Sequence, residues 1–275
     1  MRIASEHYEQ PKPPGTFRIL GLGDSVTYGS GVNAAETYLA LVGQHIQRQF
    51  PGCTLEVLNA GRPAWDTIEE VKWLKQDGIR YEPDIVLIGF YLNDATHLNA
   101  IPEYFERIER RLNFKNRSSW WYEHCNLYRF IKRRLDYHEV HQRILQRYKD
   151  SFYQSQEQWS LWLKCAEALR EAQRMSREHG FRLLVVVLPI LTELKGEYPF
   201  QDIIELVLTF CAENDIAAMT VLDGLRGYDA RKLWIAPDDQ HPNATGHRLI
   251  AAPLVRHLEE HGYLNECAGN SDRGR

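Results

Sequence analysis

The sequence has no C-x-x-C pair, and its cysteines are odd in number: Cys53, Cys125, Cys165, Cys211 and Cys267 in 275 residues. A zinc finger or ribbon is therefore excluded and a disulfide framework is not expected; ordinary, mostly buried thiols are. No stretch reaches the 18 or so apolar residues that a membrane-spanning helix needs. The opening residues, MRIASEHYEQPKPPG, lack the apolar run of a signal peptide. As written, the chain reads as cytoplasmic; an upstream segment would make it exported or membrane-anchored. Nor is there an excess of basic charge. With 33 Lys and Arg against 37 Asp and Glu the net charge is −4, which argues against a general nucleic-acid binder. Internal repeats and low-complexity segments are also missing.

What is present is ordinary for a globular chain: 44% hydrophobic and 25% charged residues, enough for a large core. The length suits one α/β domain with an insertion. Residues 1–16 are polar and proline-rich and read as an extended lead-in. FRILGLG (17–23), TLEVLNA (54–60), DIVLIGF (84–90), FRLLVVVLP (181–189) and IAAMTVLD (216–223) read as five strands. The third is continuously apolar, as when both faces are covered. Helical spacing appears at 35–50, 67–78, 155–178, 200–214 and 243–262. Thr67 is the expected N-cap of the second of these, with Glu70 in the capping-box position. Asn243 or Thr245 starts the last, after a loop that runs to about 242. Strand–helix alternation of this kind gives a parallel sheet with helices on both faces. The interval of about 98–150 is surplus to that pattern and reads as a helical insertion. Residues 101–150 hold 12 Lys and Arg against 7 Asp and Glu, a local +5 suited to a solvated face. The domain is expected to span 17–265, with a flexible tail over 266–275.

Ligands of open α/β sheets bind beyond the carboxyl ends of the strands. Strand one is followed by Asp24 and Ser25, strand two by Asn59, Ala60 and Gly61, and strand three by Asn93 and Asp94. The loop after strand five carries Asp238 and His241. These are the parts of an acyl-transfer site. A serine hydroxyl needs a histidine to take its proton. The imidazole needs a carboxylate to orient it. The oxyanion needs preorganised donors such as backbone N–H groups or an Asn amide. A dinucleotide fingerprint fails, because G-x-G-x-x-G would need glycine at Val26. His241 is preferred over His247, which falls inside the last helix as a surface or packing residue. The Asp-x-x-His spacing selects Asp238 over its neighbour Asp239. Asp24 and Asp94 read as structural, holding the loops beside Ser25 and Asn93.

The blocks GDS (23–25), NAG (59–61), LND (92–94) and DDQHP (238–242), in order along nearly the whole chain, resemble those of the SGNH/GDSL hydrolase superfamily. The resemblance implies a three-layer α/β/α fold of flavodoxin-like kind, with a five-stranded parallel sheet in the order 2-1-3-4-5 and the helical insertion after strand three. It also implies a serine esterase. Ser25 would be the nucleophile, His241 the base and Asp238 its orienter; the Ser25 N–H, the Gly61 N–H and the Asn93 side chain would hold the oxyanion. Neither metal nor cofactor is implied. Tyr91 stands where the family usually has glycine, so it is a candidate pocket residue, together with Trp120 and Trp121 of the insertion. The expected substrate is a small-molecule, glycan or lipid ester, such as an O-acetylated sugar or a short- or medium-chain acyl ester. An acyltransferase using the same acyl-enzyme, or a non-catalytic carbohydrate-binding or scaffold protein of the same fold, are the alternatives. Oligomeric state is left open.

Overall fold

The molecule is described from a computed structural model, which covers residues 8–95, 120–129, 131–132, 145–146, 149–150, 152–153, 161–237 and 239–267. Residues 1–7, most of the 98–150 insertion, Asp238 and residues 268–275 lie outside the described residues.

β1 (Thr16–Gly23) is buried along its whole length, because strands pair with it on both sides and helices cover both faces. Its partners are β2 (Thr54–Asn59) and β3 (Ile85–Gly89), both parallel to it. β4 (Arg182–Val187) and β5 (Ala218–Thr220) extend the sheet beyond β3. The order is therefore 2-1-3-4-5. β1 lies between β2 and β3, and their carboxyl ends are level: Gly21 pairs with Asn59, and Gly23 with Gly89. Whatever follows these three strands must meet at one edge.

The helices are α1 (Ser25–Tyr28), α2 (Tyr38–Gln49), α3 (Thr67–Gln76), α4 (Trp120–His124), α5 (Leu161–His179), α6 (Gln201–Glu213), α7 (Leu222–Leu225) and α8 (Ala244–Glu260). The N-cap of α3 is Asp66 rather than Thr67. Asp66 accepts from the N–H groups of Ile68 and Glu69, and Glu69 closes the capping box. The sequence DTIEE satisfies the capping pattern in two registers one residue apart. The chosen register frees the hydroxyl of Thr67 and turns Glu70 inward, and both are fully buried.

Two other differences bear on the site. The segment before α8, expected as a loop, contains an antiparallel hairpin of β6 (Trp234–Ala236) and β7 (Asp239–Pro242). Cys53 and Cys267, expected as thiols, form a disulfide across 214 residues, and both are buried. Cys267 falls in the expected flexible tail, yet its side chain packs in the core beside the start of β2. Sequence spacing gives no sign of such a pairing, since it is the packing of α8 on α2, where His45 meets Glu259, that brings the two positions together. Cys165 and Cys211 are free and buried. Among the described residues no helix is long and apolar enough to cross a membrane.

Candidate active site

Ser25 opens α1, a single helical turn directly after β1. Asp24 is its N-cap, and the Asp24 carboxylate accepts from the Val26 N–H at 2.8 Å. Gly29 closes the turn at φ 78°, a left-handed conformation that glycine adopts without strain. Ser25 is thereby held at the carboxyl edge of the sheet, with its side chain partly exposed. Its Oγ lies 2.8 Å from Nε2 of His241. Nδ1 of the same ring lies 2.5 Å from Oδ1 of Asp239, and that oxygen also accepts from the His241 backbone N–H at 3.1 Å.

Asp239 thus places a carboxylate on His241, while Asp238, which the spacing selected, lies outside the described residues. The reason for the Asp239 contact is the β6–β7 hairpin. In a strand, residues two apart share a face, whereas residues three apart do not. The x-x spacing that favoured Asp238 presumed a loop. Burial pushes the Asp239 pKa up, but the two hydrogen bonds from His241 and the attraction of its ring outweigh this and hold the carboxyl below its usual value. Asn243 fixes the hairpin to α8. Its Oδ1 caps the helix at Thr245 and Gly246, and its Nδ2 donates to the carbonyls of Lys232 and Trp234. The Trp234 indole N–H reaches the Leu191 carbonyl in the loop after β4.

Gly61 lies against α1. A Cβ there would sit 2.4 Å from the backbone nitrogen of Tyr28, so no side chain fits. Its N–H donates to Oδ1 of Asn59 at 3.0 Å, and Asn59 in turn donates to the Thr27 carbonyl at 2.8 Å. Asn93 follows β3, and its Nδ2 is 3.5 Å from Oδ2 of Asp24. Ser25, Gly61, Asn93, Asp239 and His241 therefore gather at one edge. Among the described residues no cluster of His, Cys, Asp and Glu is arranged to hold a metal ion.

A model of the GDSL-like lipase/acylhydrolase family matches residues 22–249, most of the chain. The chain belongs to the GDSL-like lipase/acylhydrolase family. Family membership supports a hydrolase acting on carboxylic esters. No curated protein sequence matches the chain. Similar solved structures include a two-domain esterase (CEX) active on acetylated mannans, at 17% identity and TM-score 0.55, covering 89% of this chain and 49% of that one. This chain thus spans about half the length of CEX. TesA aligns at 13% identity and TM-score 0.54, covering 88% and 98%. Axe2, an acetylxylan esterase from Geobacillus stearothermophilus, aligns at 15% identity and TM-score 0.55, covering 89% and 95%. At these identities the likeness establishes the shared α/β/α fold.

Further features of this member of the GDSL-like family surround the site. Tyr91, at the usual glycine position, extends the sheet by one bridge to Leu188, and its carbonyl accepts from the Asp94 N–H at 2.9 Å, so its backbone shapes the Asn93 turn. Trp120 and Trp121 are 62% and 61% exposed, with their rings against each other and the Trp120 ring stacked on His124. Among the described residues no hydrogen bond or ring contact is seen that joins either one to Ser25 or His241.

Behind the site are three buried carboxyls that the sequence did not mark as a group: Asp24, Glu70 and Asp94. Oδ2 of Asp94 accepts from the Thr67 hydroxyl at 2.7 Å. Its Oδ1 and both oxygens of Glu70 have no hydrogen-bond partner among the described residues. Burial raises the pKa of all three, and mutual repulsion raises Glu70 and Asp94 further. Hydrogen bonds from Val26, Asn93 and Ser25, and the nearby His241, oppose the rise at Asp24. His247 is also fully buried, where its Nδ1 accepts from the Tyr38 N–H at 3.2 Å and its ring stacks on Tyr38; this makes it a packing residue of α8.

Proposed function

We propose that the chain is a serine esterase that cleaves carboxylic esters through an acyl-enzyme on Ser25. The observation that carries this reading is the unbroken line from Ser25 Oγ to His241 Nε2, and from His241 Nδ1 to Asp239. His241 takes the Ser25 proton as Oγ attacks the ester carbonyl. Asp239 fixes the tautomer with the proton on Nδ1 and stabilises the imidazolium that forms. The oxyanion is received by the Ser25 N–H, a first-turn amide with no partner inside its helix, and by the Asn93 amide. The Gly61 N–H is already directed at Asn59, so Gly61 serves here chiefly by letting its loop approach α1. His241 then protonates the leaving alcohol and activates water to release the acyl group. No cofactor enters any step.

Among ester classes, O-acetylated glycans come first. CEX is active on acetylated mannans and Axe2 is an acetylxylan esterase, and both share this fold. The test is a p-nitrophenyl ester series from acetate to palmitate, with fluorophosphonate labelling. Wild type should hydrolyse the short esters and become labelled at Ser25. Ser25→Ala should lose about 10,000-fold or more in kcat and all labelling. Full activity in Ser25→Ala would end the serine reading, and a preference for palmitate would end the acetyl reading.

A further inference from the structure

We propose that Asp24 is a positioning residue that dictates which end of the Asn93 amide is turned toward Ser25. The inference rests on the esterase reading above, in which Asn93 supplies an oxyanion donor. Asp24 is 1% exposed. Its Oδ1 accepts from the Val26 N–H. Its Oδ2 lies 3.4 Å from Ser25 Oγ and 3.5 Å from Asn93 Nδ2. The Val26 N–H and the Asn93 amide are donors that converge on one carboxylate, and the Ser25 hydroxyl, whose one hydrogen goes to His241, lies beside it.

An Asn side chain has nearly the same shape after a half-turn about its last bond, but its chemistry inverts. With the NH2 facing Ser25 it stabilises a developing oxyanion. With the carbonyl facing Ser25 it repels one. Shape alone selects neither orientation; a neighbouring group that can only accept selects the NH2. The amide nitrogen has two hydrogens, so one can point to Asp24 while the other is offered to the oxyanion.

The Asn93 backbone is fixed separately. The next residue, Asp94, has its N–H on the Tyr91 carbonyl, its carboxyl on Thr67, and its own carbonyl receiving the Cys165 thiol at 3.3 Å. The loop is thus pinned to α3 and α5, and Asp24 acts on the side-chain torsion of Asn93. Because Asp24 also caps the turn that carries Ser25, a single carboxylate sets the nucleophile and the oxyanion donor relative to each other.

Asp24→Asn tests this, because it keeps the shape while offering an NH2 where a carboxylate oxygen was. The new amide can still cap Val26 through its oxygen, and its NH2 then calls for the carbonyl of Asn93. With p-nitrophenyl acetate, kcat should fall about 100-fold, as on losing one oxyanion donor, and KM should stay within about twofold. Asn93→Ala should fall by a similar factor. In the Asn93→Ala background, Asp24→Asn should cost less than about threefold more, since the donor it orients is gone. If Asp24→Asn alone keeps its rate within about threefold, or if the two losses multiply, the inference fails while the esterase reading stands. If Asn93→Ala is fully active, the donor role falls and the inference with it.

A second measurement uses folded wild type, should Asp24→Asn not fold by circular dichroism. The Asn93 side-chain NH2 resonance, identified by its loss in Asn93→Ala, should be well dispersed and slow to exchange. Solvent-like shifts with rapid exchange would overturn the proposal.

Discussion

Arg18 lies near the start of β1 and is wholly buried; Asp24 lies just past its end and is buried too. Around Arg18 the compensation is complete. Its guanidinium meets the Glu56 carboxylate and the carbonyls of Tyr81 and Glu9, and its backbone N–H donates to Asp84, which also binds Lys12. Beyond the carboxyl ends Asp24, Glu70 and Asp94 sit together with no cation among their hydrogen-bond partners in the described residues, and the Glu70 carboxyl has no hydrogen-bond partner there at all. The amino end keeps its charge by pairing it. The carboxyl end accommodates Glu70 and Asp94, whose ionisation burial and mutual repulsion oppose, while donors hold Asp24 as a carboxylate. A sheet can fasten one edge for stability and leave the other electrostatically unsatisfied, and the chemistry gathers at the unsatisfied edge.

The comparison predicts rate effects at one edge and stability effects at the other. The largest expected effect is that of Asp239→Asn, which should cost about 10,000-fold in kcat through the wrong His241 tautomer, with little change in Tm; Asp238→Asn should stay within a few-fold. A large effect at Asp238 instead would return the orienting role to that residue. Arg18→Met should do the reverse. Removing one partner of a buried pair costs about 3–5 kcal/mol, read by urea unfolding, while kcat of the folded fraction is unchanged. A kcat loss there would dissolve the contrast between the edges.

Glu70→Gln is the finer probe. Burial and the neighbouring carboxyls raise the Glu70 pKa well above the 4.5 of an exposed glutamate, so past that pH the folded chain is expected to keep a proton that the unfolded chain releases. Native protein therefore binds more protons than unfolded protein, and stability falls as pH rises from that value. One such group contributes a slope of up to about 1.4 kcal/mol per pH unit. Glu70→Gln should flatten the decline, measured as urea midpoints from pH 5 to 8; an unchanged slope would mean that Glu70 ionises in the fold. Thr67→Val is the smallest, about 1 kcal/mol, for the lost hydrogen bond to Asp94.

Much of this was legible in the chain. DIVLIGF and FRLLVVVLP can only be doubly covered strands. Ser25, Gly61 and Asn93 were found because each follows such a strand, and a parallel sheet brings those ends to one edge. The contact of Asp239 with His241 was not legible, because it depends on β6 and β7, strands of three and four residues too short to leave an alternating pattern. The burial of Glu70 was hidden by the two capping registers of DTIEE. The Cys53–Cys267 bond is a contact between segments far apart in sequence, which local pattern does not encode.

That bond also draws a boundary through the catalytic parts. It closes a covalent ring from Cys53 to Cys267, which contains Asn93, Asp239 and His241 but not Ser25. A protease cut anywhere between Asn93 and β4 leaves His241 and Asn93 on two peptides still tied to each other. On a non-reducing gel the nicked protein should migrate as one chain, and it should separate into two when thiol is added.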